Sequence, residues 1–245
     1  MNRHARYAIY YTPHPASPLW ALGSSWLGRD AMSGQSLQRP EMPRLSRINL
    51  DRLTADPRRY GFHATLKAPF EAAGAGAEEG LLELLEAFTL RRSAFDVHLE
   101  VAALGNFLAL RLAEPSKPMD ELHRDCVCDF DGYRKPISDE DLARKRRARL
   151  TPEQDARLLQ WGYPYIFDDF HFHMTFTSRI ASRASLEPIR EALETLLSAH
   201  LAVPHRIEGI GLFGQVDRDN PFHLVQWFPL RGRLEAAAPE RGAQA

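Results

Sequence analysis

The alternation of apolar and polar residues divides the chain into predicted strands and helices. Residues 6–12 are aromatic and β-prone, and Pro13 ends the run, which predicts a first strand. Leucines at positions 81, 82, 84, 85 and 90 have helical spacing and predict a helix over 77–91. The same criteria predict helices over 19–27 and 185–201, and strands over 62–70, 95–104, 107–112, 170–180, 204–215 and 222–230.

The order of these elements repeats along the chain. A strand, then a helix, then a hairpin-like pair of strands occurs twice, on either side of a helix-prone, basic segment. This repetition favours two similar lobes over a doubly wound sheet. We interpret 1–232 as a single two-lobed domain, with lobe 1 at about 5–115, a helical basic insert at about 116–160 and lobe 2 at about 161–232; residues 233–245 are interpreted as a disordered tail.

Composition narrows the functional class. The 245 residues are 44% hydrophobic and 26% charged with a net charge of −1, which is ordinary for a globular protein and argues against a general nucleic-acid coat. Residues 7–28 contain no Lys, Arg, Asp or Glu, but three prolines interrupt them, so we predict no membrane span. The two cysteines, Cys126 and Cys128, cannot form a disulfide framework, which indicates a reducing, cytoplasmic location.

Both halves contain the string Phe-His-x-Thr followed by an apolar residue. One copy is Phe62-His63-Ala64-Thr65-Leu66 and the other is Phe172-His173-Met174-Thr175-Phe176. On a strand, side chains two residues apart share a face, so each copy has an apolar side and a polar side that carries its His and Thr.

Two imidazoles and two hydroxyls suit the cleavage of a phosphodiester without a metal. With a pKa near 6.5, one neutral His takes a proton from water while a protonated His gives one to the leaving oxygen. Threonine hydroxyls can hydrogen-bond the non-bridging phosphate oxygens, and Lys67 shares the predicted polar face of His63. The alternative interpretation is that both are half-buried strand histidines bonded to their threonines.

The paired motifs resemble the 2H phosphoesterase superfamily, with His63, Thr65, His173 and Thr175 at the matching positions. Longer strings are similar to the branch associated with phosphonate metabolism (DUF1045-like). They are Arg6-Tyr-Ala-Ile-Tyr-Tyr, Ser17-Pro-Leu-Trp20, Tyr60-Gly-Phe-His-Ala-Thr-Leu-Lys-Ala-Pro-Phe70 and Gly162-Tyr-Pro-Tyr165.

This resemblance implies an α+β fold with two pseudo-symmetric lobes, antiparallel sheets lining a central cleft and helices outside. It implies a hydrolase that acts without a cofactor on a cyclic phosphodiester, with a phosphoribosyl cyclic phosphate as the expected substrate. An RNA 2′,3′-cyclic phosphodiesterase or 2′–5′ RNA end-processing enzyme is an alternative, and so is a non-catalytic module that binds a nucleotide or sugar phosphate. No obligate protein partner is inferred.

Other residues are weaker candidates. Lys67 is a candidate phosphate ligand, Tyr10 is a candidate to stack on or hydrogen-bond substrate, and Tyr133 with Arg134 is a candidate for a lid over an anion. The sets His171/His173 and His123/Cys126/Cys128 lack further ligands at convincing spacing, so we predict no metal site. A GxGxxG string at 209–214 precedes a further strand rather than a helix, which argues against a dinucleotide site.

Overall fold

A computed structural model describes residues 4–42, 45, 49–180 and 183–232. The predicted tail 233–245 lies outside the described residues. The strands are β1 (Arg6–Tyr11), β2 (Ala64–Glu71), β3 (Phe95–Val97), β4 (Leu99–Leu104), β5 (Phe107–Leu112), β6 (His173–Thr175), β7 (His205–Ile207), β8 (Gly209–Gln215) and β9 (His223–Pro229). The helices are α1 (Pro18–Leu27), α2 (Leu50–Leu53), α3 (Ala55–Arg58), α4 (Ala77–Thr89), α5 (Lys117–Asp129), α6 (Asp139–Arg146), α7 (Pro152–Trp161) and α8 (Arg183–Leu201).

Seven strands form one antiparallel sheet in the order β4-β5-β6-β2-β1-β8-β9, and β3 pairs with β7 in a small second sheet. The predicted α+β class with antiparallel sheets is confirmed. The predicted strand at 170–180 is much shorter, because only three residues, His173–Thr175, pair with their neighbours.

The strands of the two predicted lobes are exchanged within this sheet. The hairpin β4–β5 from the first half of the chain pairs with β6 from the second half, and the hairpin β8–β9 pairs with β1. Each side of the sheet therefore combines strands from both predicted lobes, 5–115 and 161–232. Strand order depends on non-local pairing, which the repeated element order does not encode.

Helices cover one face of the large sheet. Helix α5 packs on β2, α8 packs on β4 and β5, and α4 packs on β8 and β9. Their apolar residues join a single core cluster with the alternate residues of the strands, including Ala64 and Leu66 of β2 and Met174 of β6. The opposite face of β2 and β6 is left for polar side chains, as the apolar alternation predicts.

The insert folds as three helices, α5 to α7. Thr151 caps α7 through a capping box with Gln154. The GxGxxG glycines lie inside strand β8, which confirms that they open no helix. Among the described residues, no helix combines the length and apolarity needed to cross a bilayer.

Candidate active site

The two His-x-Thr strings meet at the centre of the sheet. Strands β2 and β6 are antiparallel neighbours, and Ala64 lies directly opposite Met174. The residues on either side are therefore cross-strand partners, with His63 opposite Thr175 and Thr65 opposite His173. All four side chains share the face opposite the core, and each is half-buried. The two histidines occupy the diagonal of this square, and diagonal neighbours in an antiparallel pair lie about 7–8 Å apart, with their Cβ atoms somewhat closer.

Each histidine is held by the carbonyl two residues before it. The Nδ1 of His63 lies 2.9 Å from the Gly61 carbonyl oxygen, and the Nδ1 of His173 lies 2.6 Å from the His171 carbonyl oxygen. A carbonyl only accepts, so Nδ1 of both rings carries the proton. In the neutral rings Nε2 is then an acceptor, and in His63 it accepts a hydrogen bond from the Thr65 hydroxyl at 3.3 Å.

Both histidines are biased toward the neutral form. Burial lowers the pKa of His63 to about 4; the Gly61 carbonyl opposes this shift and nearby His173 adds to it. Burial also lowers the pKa of His173, and His171 and Arg111 lower it further.

Aromatic rings enclose the first histidine. The Tyr10 ring lies 3.9 Å from the His63 ring, and Tyr60 lies 5.9 Å away on centroid distances. The ring of Tyr10 is therefore packed on the imidazole. Its hydroxyl is buried without a hydrogen-bond partner among the described residues, and burial raises its pKa well above the ordinary value.

A cleft of about 410 Å³ opens beside Thr65 and His173. Tyr163 and Tyr165 line it, and their rings meet edge to face at 5.7 Å. Both belong to the string Gly162-Tyr-Pro-Tyr165 that carries part of the family resemblance, and a loop has no periodicity that would predict a cleft wall. Phe107 lines the cleft beside His173, with the two rings 6.1 Å apart.

Lys67 does not reach this cleft. Its ammonium is buried, donates to the Val127 carbonyl at 2.8 Å and pairs with Asp131 at 3.1 Å. A β-bulge explains the wrong placement: Tyr10 pairs with Thr65 but Ile9 pairs with Lys67, so one residue of β2 is unmatched and the alternation of faces breaks between them. Burial lowers the pKa of Lys67, and Asp131 counters this shift.

Tyr133 and Arg134 form no lid over the cleft either. Tyr133 packs on α4, where a Cβ at Gly80 would lie only 2.6 Å from its hydroxyl. The Arg134 guanidinium makes a bidentate pair with Asp131, at 2.8 and 3.1 Å, and donates to the Gln160 carbonyl. Tyr133 thus packs the insert against α4, while Arg134 joins two parts of the insert to each other.

Arg111 is a cation of the site face that no motif or periodicity in the sequence marks. It lies directly opposite His173 in the β5–β6 pair, which puts its side chain on the same face as the histidine. Within the described residues no carboxylate lies in salt-bridge distance of its guanidinium. Its position could only be found from the exchange of the β4–β5 hairpin, since 62 residues separate it from His173 in the chain.

The residues weighed as metal ligands have other partners or differ in burial. His123 uses both ring nitrogens, donating from Nδ1 to the Leu66 carbonyl and accepting at Nε2 from the Phe167 amide. Cys126 is buried and Cys128 is exposed. No group of three His, Cys, Asp or Glu side chains suited to a metal occurs in the described part of the chain.

Comparison with known proteins gives a family and several relatives. The family model described as "Protein of unknown function (DUF1045)" matches residues 65–223. The chain is 40% identical over 237 residues to a protein of Janthinobacterium sp. (strain Marseille), and 32% identical over 231 residues to one of Laribacter hongkongensis (strain HLHK9). Both are named "Ribose 1,5-bisphosphate phosphokinase PhnN"; the matches cover 95% and 93% of this chain but 52% and 53% of theirs. The chain thus spans about half the length of these relatives.

Solved structures also match at low identity. E. coli LigT complexed with 3′-AMP is 14% identical with a TM-score of 0.44, over 94% of this chain and 99% of that one. TT0787 of Thermus thermophilus is 12% identical with a TM-score of 0.44, over 93% and 99%. The fold assignment rests on the strand order described above.

Proposed function

The chain belongs to the DUF1045 family, which confirms the family resemblance indicated by its sequence, and we propose that it is a metal-independent cyclic phosphodiesterase. The observation that carries the proposal is the square of His63, Thr65, His173 and Thr175 on one face of β2 and β6. In this mechanism one neutral imidazole takes a proton from the attacking water through Nε2. The other, protonated, donates its Nε2 proton to the ester oxygen that leaves as the ring opens.

The hydroxyls and a cation would hold the phosphate between the rings. Thr65 and Thr175 lie diagonally, as the histidines do, so a phosphate over the square meets a hydroxyl on each side. The Thr175 hydroxyl makes no hydrogen bond within the described residues. Arg111 lies opposite His173, and its positive charge would attract the phosphate.

The low pKa of both histidines fits this cycle once an anion is bound. In the free protein burial keeps both rings neutral at pH 7. A phosphate anion between them favours the protonated form and raises the pKa of the ring that it contacts. The substrate thus brings the charge that makes one histidine an acid, while the other stays available as the base.

The expected substrate is a cyclic phosphate of ribose. The resemblance to the phosphonate-associated branch supports this class, and the phosphorylated ribose in the relatives' name agrees with it. The kinase activity in that name describes proteins about twice as long as this chain.

A panel of cyclic esters tests the proposal. Ribose 1,2-cyclic, ribose 2,3-cyclic and RNA-terminal 2′,3′-cyclic phosphates are assayed with and without EDTA, and the product isomer is identified by phosphorus NMR. We expect ring opening of a ribose cyclic phosphate at unchanged rate in EDTA. Activity lost with the chelator and restored by a divalent metal would refute the mechanism; tight binding without turnover would indicate a binding module. Turnover of RNA ends alone would identify an RNA-processing enzyme.

A further inference from the structure

A buried histidine of the insert connects the two segments that carry the motifs. His123 lies on the apolar face of α5, one turn from Met119 and Val127, and only 3% of its surface is exposed. A buried imidazole needs partners for both ring nitrogens, because an unpaired polar group away from water is unfavourable. The partners of His123 come from the neighbourhoods of both motifs.

One ring nitrogen of His123 binds β2, and the other binds the chain before β6. Nδ1 donates to the carbonyl of Leu66, next to Thr65, at 2.9 Å, and Nε2 accepts from the Phe167 amide at 3.1 Å. Only the neutral ring with its proton on Nδ1 can make both bonds. Burial lowers the pKa of His123 to about 4, so this form persists at neutral pH.

The ring of His123 also stacks on Phe170. The two ring centroids lie 3.8 Å apart, and the planes differ by 4°. Phe170 immediately precedes His171, whose carbonyl accepts the Nδ1 hydrogen bond of His173 at 2.6 Å. The position of His123 is therefore transmitted to the ring of His173 through one ring contact and one backbone carbonyl.

Strand β6 depends on such support, because its own pairing is short. It has three residues, and among the described residues a single residue pair joins it to β2. The segment 166–170 that precedes it contains Phe167 at φ 58°, a left-handed conformation that is unfavourable for a bulky side chain. The amide of this strained residue is the donor to His123. Without that bond the segment can relax, and Phe170 moves with it.

We propose that His123 is a positioning residue of the candidate active site, which holds the segment 166–170 against β2 and thereby fixes the orientation of the His173 ring. Both nitrogens of His123 are bonded within the fold, so it neither transfers a proton nor binds the phosphate. This inference rests on the proposed function, in which His173 belongs to the acid–base pair, and it adds a residue that acts through His173.

Kinetics on His123 variants test this role. His123→Leu keeps an apolar side chain on α5 but leaves the Leu66 carbonyl and the Phe167 amide without a partner. We expect it to lower kcat for a ribose cyclic phosphate by about 10–100-fold and to change KM by less than about threefold, because a misplaced acid–base group slows the chemical step. His123→Gln retains a side-chain donor and acceptor and should recover part of kcat. Wild-type kcat in His123→Leu would overturn the proposal.

Lys67→Met is the matched control, because Lys67 is a second buried polar link between β2 and α5. Its partners, Val127 and Asp131, belong to the insert and lie outside the segment 166–170. We expect Lys67→Met to lose stability in urea, as His123→Leu does, but to keep kcat within about threefold. An equal loss of kcat in both variants would show that only the packing of α5 matters, and would overturn the positioning role.

A second variant covers a failure to fold. If the melting curve shows His123→Leu to be unfolded, His123→Asn is measured in its place. Its amide keeps a donor near the position of Nδ1 for the Leu66 carbonyl, but it is too short to accept from the Phe167 amide. We expect the same loss of kcat, and wild-type kcat in this variant would overturn the proposal.

A spectroscopic measurement separates the positioning role from the catalytic proposal. Long-range ¹H–¹⁵N NMR spectra at neutral pH show which ring nitrogen of His173 carries the proton, whether or not the protein hydrolyses a cyclic phosphate. We expect the Nδ1–H form in the wild-type protein, His123→Gln and Lys67→Met. In His123→Leu we expect a mixture of Nδ1–H and Nε2–H forms, because the His171 carbonyl no longer fixes the ring.

The two proposals can thus fail independently. A changed His173 ring in His123→Leu, in a protein that hydrolyses no cyclic phosphate, would support the positioning role and refute the catalytic proposal. An unchanged His173 ring in that variant would overturn the positioning role, even where the wild-type protein hydrolyses the substrate.

Discussion

The two His-x-Thr segments carry the same residues on adjacent strands, yet their surroundings differ. His63 lies among the rings of Tyr10, Tyr60 and Phe213, with no cation among those neighbours. His173 has one ring neighbour among the described residues, Phe107, and lies opposite Arg111. The first segment is an apolar enclosure, and the second is a wall of the cleft beside a cation.

This difference suggests unequal roles for two equal motifs. Aromatic enclosure disfavours a charged ring, so His63 suits the base that must be neutral when the substrate arrives. His173 lies on the cleft wall beside the cation that would attract the phosphate, and a bound phosphate would stabilise its protonated ring as the acid. The repeated motif thus places both histidines and both threonines in equivalent positions on their strands, while the residues around each copy determine how readily its histidine is protonated.

The largest expected effect is the loss of either imidazole. We expect His63→Ala and His173→Ala each to lower kcat by about 10²–10⁴-fold, the range of general acid–base catalysis. His98→Ala, at an exposed position between β3 and β4, is the matched control and should retain wild-type kcat. Near-normal turnover by the double variant His63→Ala/His173→Ala would exclude both residues from the chemistry.

The pH profile distinguishes the two roles. With a pKa of about 4 for His63, and a pKa for His173 that is also below 6.5, both rings are neutral above pH 6.5 in the free protein. As pH rises above 6.5, the protonated fraction of His173 falls about tenfold per unit, and kcat/KM falls with it. Below pH 4 the base is protonated and kcat/KM falls again.

We therefore expect a bell with its maximum between about pH 4 and 6.5 for kcat/KM. We expect a higher optimum for kcat, because bound phosphate raises the pKa of the acid, His173. Initial rates across pH 3.5–9, with circular dichroism at each pH to verify folding, give both profiles. A value of kcat/KM that still increases above pH 7 would contradict the assignment.

The sequence predicts the local part of this site and not the non-local part. The alternation Phe172, Met174, Phe176 against His173 and Thr175 fixes which face each side chain takes, because the pleat is a property of one strand. The bulge in β2 depends on how β1 pairs with it. The regular alternation of faces along β2 therefore ends after Thr65, and the prediction that Lys67 shares the face of His63 is wrong.

Long-range pairing accounts for the other differences. Arg111 lies beside His173 only because the β4–β5 hairpin pairs across the halves of the chain. Tyr163 reaches the cleft from the loop after α7, and no periodicity marks a loop residue as a wall of a site. The insert likewise appears in the sequence only as a basic helical segment. In the structure several of its arginines form ion pairs with carboxylates of the same insert, which the sequence pattern does not indicate.

Separate substitutions of Arg111, beside β6, and Lys67, within β2, test whether each cation acts on the substrate or on stability. Arg111→Met should lower kcat/KM for a cyclic phosphate by about 10–100-fold, since a charge-assisted bond to phosphate is lost. Lys67→Met should instead lower the free energy of unfolding by about 2 kcal/mol, because the Val127 carbonyl loses its donor and Asp131 loses one of its two cations. Kinetics and urea denaturation on both variants separate the two effects, and a larger kinetic loss in Lys67→Met would reverse the assignment.

The smallest effect on kcat/KM is expected for removal of the Tyr10 hydroxyl, and removal of the whole ring should have a different effect. The ring packs on His63 and maintains the apolar enclosure, whereas the buried hydroxyl has no partner among the described residues. Removing an unsatisfied buried polar group is neutral or slightly stabilising, so Tyr10→Phe should keep kcat/KM within about threefold and stability within about 1 kcal/mol. Tyr10→Ala opens the enclosure, exposes His63 to water and should shift the acid limb of kcat/KM upward as the pKa of the imidazole returns toward its ordinary value. A tenfold loss in Tyr10→Phe would show instead that the hydroxyl binds substrate, and the enclosure would then be a binding surface as well as a means of keeping His63 neutral.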